Sequence, residues 1–179
     1  MATQPHTLIT AELFYQLPQE EGREFELLDG EVVEMPGPTY EHGRIVMKLG
    51  SLLYPGLRGR GEQVDNTDFS DSRLAALRPD LAILLGEKPS LVDPWKLPVT
   101  IPPDLVVEVV SPSESAFRVD RRINAYLRFG VQEIWIIYPE DRSLYLHAEA
   151  CVKRLRPGST LETPLLPGWS VPVDDIFER

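Results

Sequence analysis

Two short apolar segments that each carry a carboxylate constrain this chain more than any other feature. One is residues 81–85, which follow Pro79 and Asp80, and the other is residues 105–110, which include Glu108. Nearly continuous apolar runs of this length, bounded by proline or polar residues, are typical of strands buried on both faces. A buried carboxylate is costly unless a cation, a metal ion or hydrogen-bond donors compensate it. The fold must therefore place such groups around both acids.

The positions of the two acids predict a shared site. Asp80 opens one strand and Glu108 lies near the end of the other. If these strands are adjacent and antiparallel, both carboxylates lie at the same end of the sheet. Mg²⁺ or Mn²⁺ would suit them, since Mg²⁺ binds one or two carboxylates together with water and substrate phosphate. The alternative for either acid is a strand-end carboxylate that caps loop amides or pairs with an arginine.

Composition limits the class of protein. The 179 residues are 42% hydrophobic, which predicts a single domain over residues 1–179. The net charge of −10 disfavours a protein that binds nucleic acid through an extended basic surface. Cys151 is the single cysteine, so neither an intramolecular disulfide nor a cysteine metal cluster is expected. Without a signal peptide or a long apolar run in the sequence, we expect a cytoplasmic protein with no membrane partner.

A third acid lies in a predicted hairpin. Residues 25–35 alternate around Asp29 and Gly30, and this pair favours a tight turn because both residues tolerate positive φ. Alternation puts Glu26 and Leu28 on one face. Glu26 is therefore either a further carboxylate near the metal or a solvated residue on the outer face of the hairpin.

Two helices are predicted from apolar residues at helical spacing. The first runs from Tyr40 to Leu53 and ends at Pro55 and Gly56. His42 falls on its inward side, where it contacts substrate or a metal-bound water, or is a satisfied core histidine. The second begins after residues 111–115 and ends at Gly130. Its inward stripe comprises Phe117, Val119, Ile123, Tyr126 and Leu127.

The order of elements predicts a mixed α/β fold. A strand, a helix and a strand follow one another over residues 104–138, which is the pattern of a right-handed crossover between parallel strands. Antiparallel hairpins lie on either side of this unit in the sequence. The proline-rich tail over residues 163–179 offers Trp169 and Phe177 as anchors.

Polar residues after the second acid have two interpretations each. Arg118 and Arg122 lie four residues apart on one side of the second helix, beside Arg121. They would hold a phosphate, or they form a solvated face. Ser111 would bind phosphate or a metal-bound water, or it is the N-cap of the helix.

The residues also carry a family resemblance over about residues 10–150. The chain resembles the Uma family of putative restriction endonucleases, which lies within the PD-(D/E)XK nuclease superfamily. The resemblance is carried, in chain order, by segment 25–31, His42, segment 78–80, segment 104–113 and segment 126–136. The resemblance implies a restriction-endonuclease-like fold, a central mixed β-sheet flanked by helices, with Mg²⁺-dependent hydrolysis of nucleic acid. By position, Glu26, Asp80 and Glu108 match the acidic site residues, and His42 matches a recurrent histidine.

The chain departs from the family pattern at the lysine. The superfamily has a lysine two residues after the second acid, where this chain has Val110. Uma-like sequences have Asp and Lys seven and eleven residues after the serine that corresponds to Ser111, and this chain has Arg118 and Arg122 there. Arginine stabilises phosphate charge but does not release a proton at neutral pH.

Three functions follow from these residues. In the first, the chain is a metal-dependent endonuclease, with DNA the expected substrate. Asp80 and Glu108 bind the ion, Glu26 assists, and Arg122 stabilises the transition state. Homodimerisation follows by analogy, since cutting two strands takes two sites. In the second, the protein has lost cleavage and binds nucleic acid or protein. In the third, it is a structural protein whose acids are ordinary caps.

Overall fold

The computed structural model of the protein describes residues 8–18, 20–148 and 151–179. A six-stranded sheet with helices on both faces forms its centre, and a four-stranded sheet packs beside it. In chain order the elements are α1 (Ala11–Phe14), β1 (Glu24–Leu28), β2 (Glu31–Met35), α2 (Tyr40–Leu57), β3 (Gly61–Val64), β4 (Phe69–Ser70), β5 (Ala76–Leu77), β6 (Leu81–Leu85), α3 (Lys88–Leu91), β7 (Leu105–Val109), α4 (Ala116–Phe129), β8 (Glu133–Tyr138), β9 (Ser143–Ala148), β10 (Cys151–Leu155), β11 (Thr160–Glu162), β12 (Ser170–Pro172) and α5 (Val173–Phe177).

The central sheet is mixed, as the order of elements predicted. Its strands lie in the order β10-β9-β8-β7-β6-β3. The β7–β8 pair is parallel and is joined through α4, whereas the other pairs in this sheet are antiparallel. Both predicted apolar segments, β6 and β7, are adjacent and antiparallel. Their acids therefore reach the same end of the sheet.

Alternation along β7 divides the core into two layers. Leu105, Val107 and Val109 pack with α2 and the C-terminal segment, while Val106 and Val110 pack with α4. Glu108 lies on the α4 side by the same alternation. Each fully buried Val or Leu contributes about 1.5–3 kcal/mol to stability. The apolar neighbours thus fix β7 firmly and leave Glu108 facing one particular helix.

The first predicted helix, α2, is longer than expected, because Pro55 lies inside it and the helix ends at Leu57. A proline inside a helix loses the hydrogen bond of its missing N–H and crowds the carbonyl four residues earlier, and burial of the last turn offsets this cost here. Leu57 is 3% exposed. A Cβ on Gly56 would lie 2.6 Å from the ring of Trp169, so the glycine permits close packing of the last turn. The prediction that Pro55 and Gly56 end the helix was therefore wrong.

The second predicted helix, α4, has the expected ends. The Ser115 hydroxyl accepts a hydrogen bond from the backbone N–H of Arg118, and Gly130 ends the helix with φ of 103°. Phe117, however, is 71% exposed, not inward. It lies two residues before buried Val119, which is about 200° around the helix. The Arg121 guanidinium lies over its ring instead, 5.8 Å from the centroid.

Two further predictions are confirmed. The hairpin β1–β2 turns at Asp29 and Gly30, both with positive φ. The tail is anchored as expected: Trp169 stacks on Trp135 with ring centroids 5.8 Å apart, and Phe177 is buried. Among the residues described, each helix is too short or too polar to cross a lipid bilayer.

Candidate active site

Asp80 and Glu108 lie side by side at one end of the central sheet. Leu81 of β6 pairs with Val107 of β7, and continuing this register by one residue places Asp80 opposite Glu108. Asp80 Oδ2 accepts a hydrogen bond of 2.6 Å from the backbone N–H of Val109, which fixes its position across the strand pair. The two acids are thus brought together as the sequence predicted.

Glu108 is 4% exposed and faces α4. Its Oε1 accepts a hydrogen bond from the Tyr126 hydroxyl, and its Oε2 accepts one of 3.2 Å from Arg122 Nη1. Burial raises the pKa of Glu108 well above 4.5, although the charge of Arg122 opposes this shift. The carboxylate is therefore held in a site that disfavours its charge.

Arg122 contacts three of the acidic residues. It is 3% exposed, and its guanidinium lies 3.2 Å from Glu26 Oε2, 3.2 Å from Glu108 Oε2 and 2.8 Å from Glu114 Oε1. Burial opposes its charge, yet Glu108, Glu26 and Glu114 raise its pKa well above the ordinary value. The interpretation of Arg122 as part of a solvated face is wrong. The reason is that the buried stripe of α4 includes position 122 along with Val119 and Tyr126.

Glu26 occupies the interior and not the outer face of its hairpin. It is 1% exposed, and its Oε1 accepts a hydrogen bond of 2.8 Å from the backbone N–H of Arg78. Burial raises the pKa of Glu26, while Arg122 opposes this shift. The solvated alternative fails because the face of β1 that carries Glu26 and Leu28 packs against α4. Glu26 therefore joins the same cluster as Glu108.

His42 is tied directly to Asp80. It lies in the first turn of α2, where Thr39 caps the helix, and its Nε2 is 2.8 Å from Asp80 Oδ1. Burial alone would lower the pKa of His42, but the hydrogen bond and charge of Asp80 raise it above its ordinary value. The side chain is neither free in solvent nor packed in the apolar core. It orients the first acid.

Ser111 and Arg118 are separated by the structure. Ser111 is buried beside the acids, and the N-cap of α4 is Ser115, so the capping interpretation of Ser111 is wrong. Arg118 is exposed at the start of α4, where its Nη1 donates to the backbone carbonyl of Glu34 at 3.2 Å. The two guanidinium groups therefore have different surroundings, since Arg118 is exposed and Arg122 is buried among carboxylates.

A cavity of about 600 Å³ opens onto the acids. We name it the acidic cavity; its wall includes Glu26, His42, Asp80, Glu108, Ser111, Glu114 and Arg122. Sequence reasoning missed Glu114, whose side chain is 4% exposed. Its carboxylate contacts Arg122 at 2.8 Å outside hydrogen-bond geometry. The available signal was a lone acid directly after the Ser-Pro-Ser segment of residues 111–113, before α4 begins.

The donor set fits a hard divalent cation at Asp80 and Glu108. The lining includes six carboxylates against three arginines, so acidic groups outnumber basic ones; the acids are Glu24, Glu26, Asp65, Asp80, Glu108 and Glu114, and the arginines are Arg44, Arg78 and Arg122. Across the described residues, no three His, Cys, Asp or Glu side chains converge as a complete metal site. Mg²⁺ needs fewer, because it keeps several waters and takes one or two carboxylates beside a phosphate.

Comparisons with known proteins agree with this fold. The family model "Uma2: Putative restriction endonuclease" matches residues 11–174. A crystal structure titled as a putative nuclease belonging to DUF820, from Anabaena variabilis ATCC 29413, superposes with a TM-score of 0.81 at 20% identity, over 94% of this chain and 97% of that one. An uncharacterized protein of Synechocystis sp. PCC 6803, sll1609, is 26% identical over 125 residues, which are 66% of this chain and 68% of that protein.

Proposed function

The chain belongs to the Uma2 family, described as putative restriction endonucleases, and from this premise we propose that it is a Mg²⁺-dependent endonuclease of nucleic acid, DNA foremost. The observation that carries the proposal is the pair Asp80 and Glu108, adjacent on antiparallel strands and open to the acidic cavity. For duplex DNA we propose a homodimer, because cutting two strands takes two sites.

The proposed roles follow from the contacts. Asp80 and Glu108 hold the ion, which when bound polarises the phosphate and lowers the pKa of a water. His42 fixes the orientation of Asp80 through its 2.8 Å contact. Ser111, buried at the wall of the cavity, donates its hydroxyl to a phosphate oxygen. Arg122 places a permanent positive charge beside the phosphate.

Glu26 has a supporting role in this proposal. It binds Arg122 through one oxygen and the backbone of Arg78 through the other. These contacts join the small sheet to α4 and hold the guanidinium at the cavity wall. Arg122 keeps its proton in every step, because an arginine is not deprotonated at neutral pH.

A second candidate function is a nucleic-acid- or protein-binding module without cleavage. One observation favours this function: Arg122 already compensates three carboxylates. It does so at the position where family members carry a lysine. If the guanidinium balances the site permanently, the acids need no metal. The acids would then serve only to stabilise the fold.

The deciding experiment is cleavage of mixed single- and double-stranded DNA and RNA with Mg²⁺ or Mn²⁺. Wild type is compared with Glu108→Gln and with the matched control Asp104→Asn, which alters a buried acid directly before the same strand and outside the acidic cavity. We expect Glu108→Gln to lose cleavage by at least about 10²–10³-fold and the control to keep it. Equal cleavage by all three proteins would reject the assignment of the site.

Arg122→Lys tests the departure from the family. Lysine restores a group that can exchange a proton, but it binds carboxylates less rigidly than arginine. We expect cleavage to rise if lysine activates water in this fold, measured as the single-turnover rate against pH. No change in rate would mean that position 122 supplies charge alone. Complete absence of cleavage in wild type and Arg122→Lys, with nucleic acid still bound, would favour the binding module.

A further inference from the structure

A larger cavity of about 1000 Å³ adjoins the acidic cavity. We name it the aromatic cavity. Phe25, Glu26 and Arg78 belong to the walls of both cavities. Any polymer bound with a phosphate at Asp80 and Glu108 therefore has the aromatic cavity within reach of a neighbouring nucleotide.

Three aromatic rings line this cavity. Phe14, Tyr15 and Phe25 line it, and the rings of Phe14 and Tyr15 meet edge to face with centroids 5.3 Å apart. The Arg23 guanidinium lies 4.9 Å from the centroid of Phe25 and steadies that ring. Burial raises the pKa of Tyr15, so its hydroxyl stays a donor at neutral pH. Such rings are the usual stacking partners of unpaired bases.

The charges of the cavity select a base and not a phosphate. Its lining includes five carboxylates, Glu20, Glu24, Glu26, Glu34 and Asp68, against three arginines, Arg23, Arg78 and Arg118. Arg23 is bonded to Glu34 at 2.8 Å and Arg78 to Asp68 at 2.7 Å. A phosphate would meet net negative charge here. A neutral base carries N–H groups, from which carboxylates accept hydrogen bonds.

Arg118 provides the complementary position for phosphate. It lines the same cavity near Ser113, and its Nη1 donates to the backbone carbonyl of Glu34 rather than to a carboxylate. Its charge is therefore available at the rim. The alternation of an aromatic cavity with a rim cation matches the alternation of base and phosphate along a strand.

We propose that the aromatic cavity is a subsite for one unpaired nucleobase of the substrate, with the flanking phosphate at Arg118. The inference rests on the proposed nuclease function and narrows its substrate to single-stranded or locally melted nucleic acid. A base within a duplex is stacked and paired, so it reaches such a subsite only after leaving the helix.

The test is binding of fluorescently labelled DNA by anisotropy, with Ca²⁺ in place of Mg²⁺ so that the acids carry a cation while the strand is not cut. One abasic position is moved stepwise along a short single strand, and the intact strand is also measured as a duplex. We expect the abasic site to weaken binding about five- to a hundredfold at one or two positions and little elsewhere. We also expect weaker binding of the duplex. Uniform affinity along the series, or a duplex that binds as tightly, would overturn the proposal.

Tyr15→Ala gives the protein half of the test, with Tyr54→Ala as the matched control. Tyr54 is an exposed aromatic residue of α2 that lines neither cavity. Tyr15→Ala should bind the intact strand as weakly as wild type binds the strand whose abasic site lies at the sensitive position. The variant should also bind the intact and the abasic strand with equal affinity. The control should behave as wild type. If thermal melting shows Tyr15→Ala to be unfolded, the abasic series with wild type decides.

The subsite and the nuclease fail separately. Cleavage that depends on Glu108, together with a uniform abasic series, rejects the subsite and leaves the nuclease. An abasic-sensitive series without cleavage rejects the nuclease and leaves a base-binding protein. No binding of any strand rejects the subsite outright.

Discussion

The two ends of strand β7 carry two buried acids with opposite surroundings. Asp104 precedes the strand and Glu108 lies near its end, and each is 4% exposed. Asp104 accepts hydrogen bonds from Lys88 Nζ at 2.8 Å, Gln132 Nε2 at 2.6 Å and the Leu85 backbone N–H at 2.8 Å. Its single charge thus has one cation and two further donors.

Glu108 has far less compensation. It shares Arg122 with two other carboxylates, and Asp80 lies next to it across the strand pair. It also opens onto a cavity, whereas Asp104 lines neither cavity. Burial of an acid is therefore not the mark of a site in this fold. Surplus negative charge beside an open cavity distinguishes the two ends, and each prediction below tests that distinction.

Removal of the cation should have the largest effect on stability. Arg122→Met leaves three buried carboxylates without their shared cation and should lower the free energy of unfolding by about 3–5 kcal/mol. Lys88→Met should cost about 1–2 kcal/mol, because Asp104 keeps its bonds to Gln132 and Leu85. Urea unfolding of both variants in EDTA measures the difference. Equal losses would mean that the two ends of β7 are energetically alike.

Added metal should stabilise the Glu108 end alone. Mn²⁺ at a hundred times its dissociation constant should raise the free energy of unfolding of wild type by about 2.7 kcal/mol. Asp80→Asn should abolish this gain and Asp104→Asn should keep it, because only the former removes a proposed ligand. Thermal melting with increasing Mn²⁺ records both. A gain that survives in Asp80→Asn would place the metal elsewhere.

The pH dependence of stability is the smallest effect and the most specific. Burial raises the pKa of Glu108 in the folded state. The contribution of Glu108 to stability is therefore full below its pKa in the unfolded chain, about 4.3, and is lost as the pH rises through its pKa in the folded state. Glu108→Gln has no such loss. The stability of this variant relative to wild type should therefore grow from about pH 4.5 upward, measured by urea unfolding in EDTA. A constant difference over that range would show that Glu108 is compensated as fully as Asp104.

The elements around the acids were predictable because local patterns determine them. Residues 133–138 form a continuous apolar strand, and Asp29 with Gly30 permits one type of turn. The convergence of Asp80 with Glu108 was predicted on the condition that their strands be adjacent and antiparallel, and β6 and β7 meet that condition. These features depend on neighbours in sequence, and tertiary contacts reinforce them.

The partners of the acids were not predictable from spacing. Periodicity places Arg118 and Arg122 on one side of α4, but it does not reveal that Arg122 is buried and Arg118 is exposed. The burial of Arg122 depends on Glu26, which is 96 residues away in the sequence. Glu114 lacked any periodic signal because it lies before the helix. Long-range charge pairing decided each of these cases.

The C-terminal segment has a consequence for how the protein is made. Trp169 stacks on Trp135 and donates its indole N–H to the carbonyl of Leu52, and the Thr163 hydroxyl donates to Glu133. Chains are synthesised from the N-terminus, so α2 can cover the face of β8 that carries Trp135 first, and the cover from residues 163–177 comes last. The nascent chain therefore exposes part of this apolar face between the emergence of β8 and the release of the C-terminal segment, and during that interval it is open to aggregation and to chaperones.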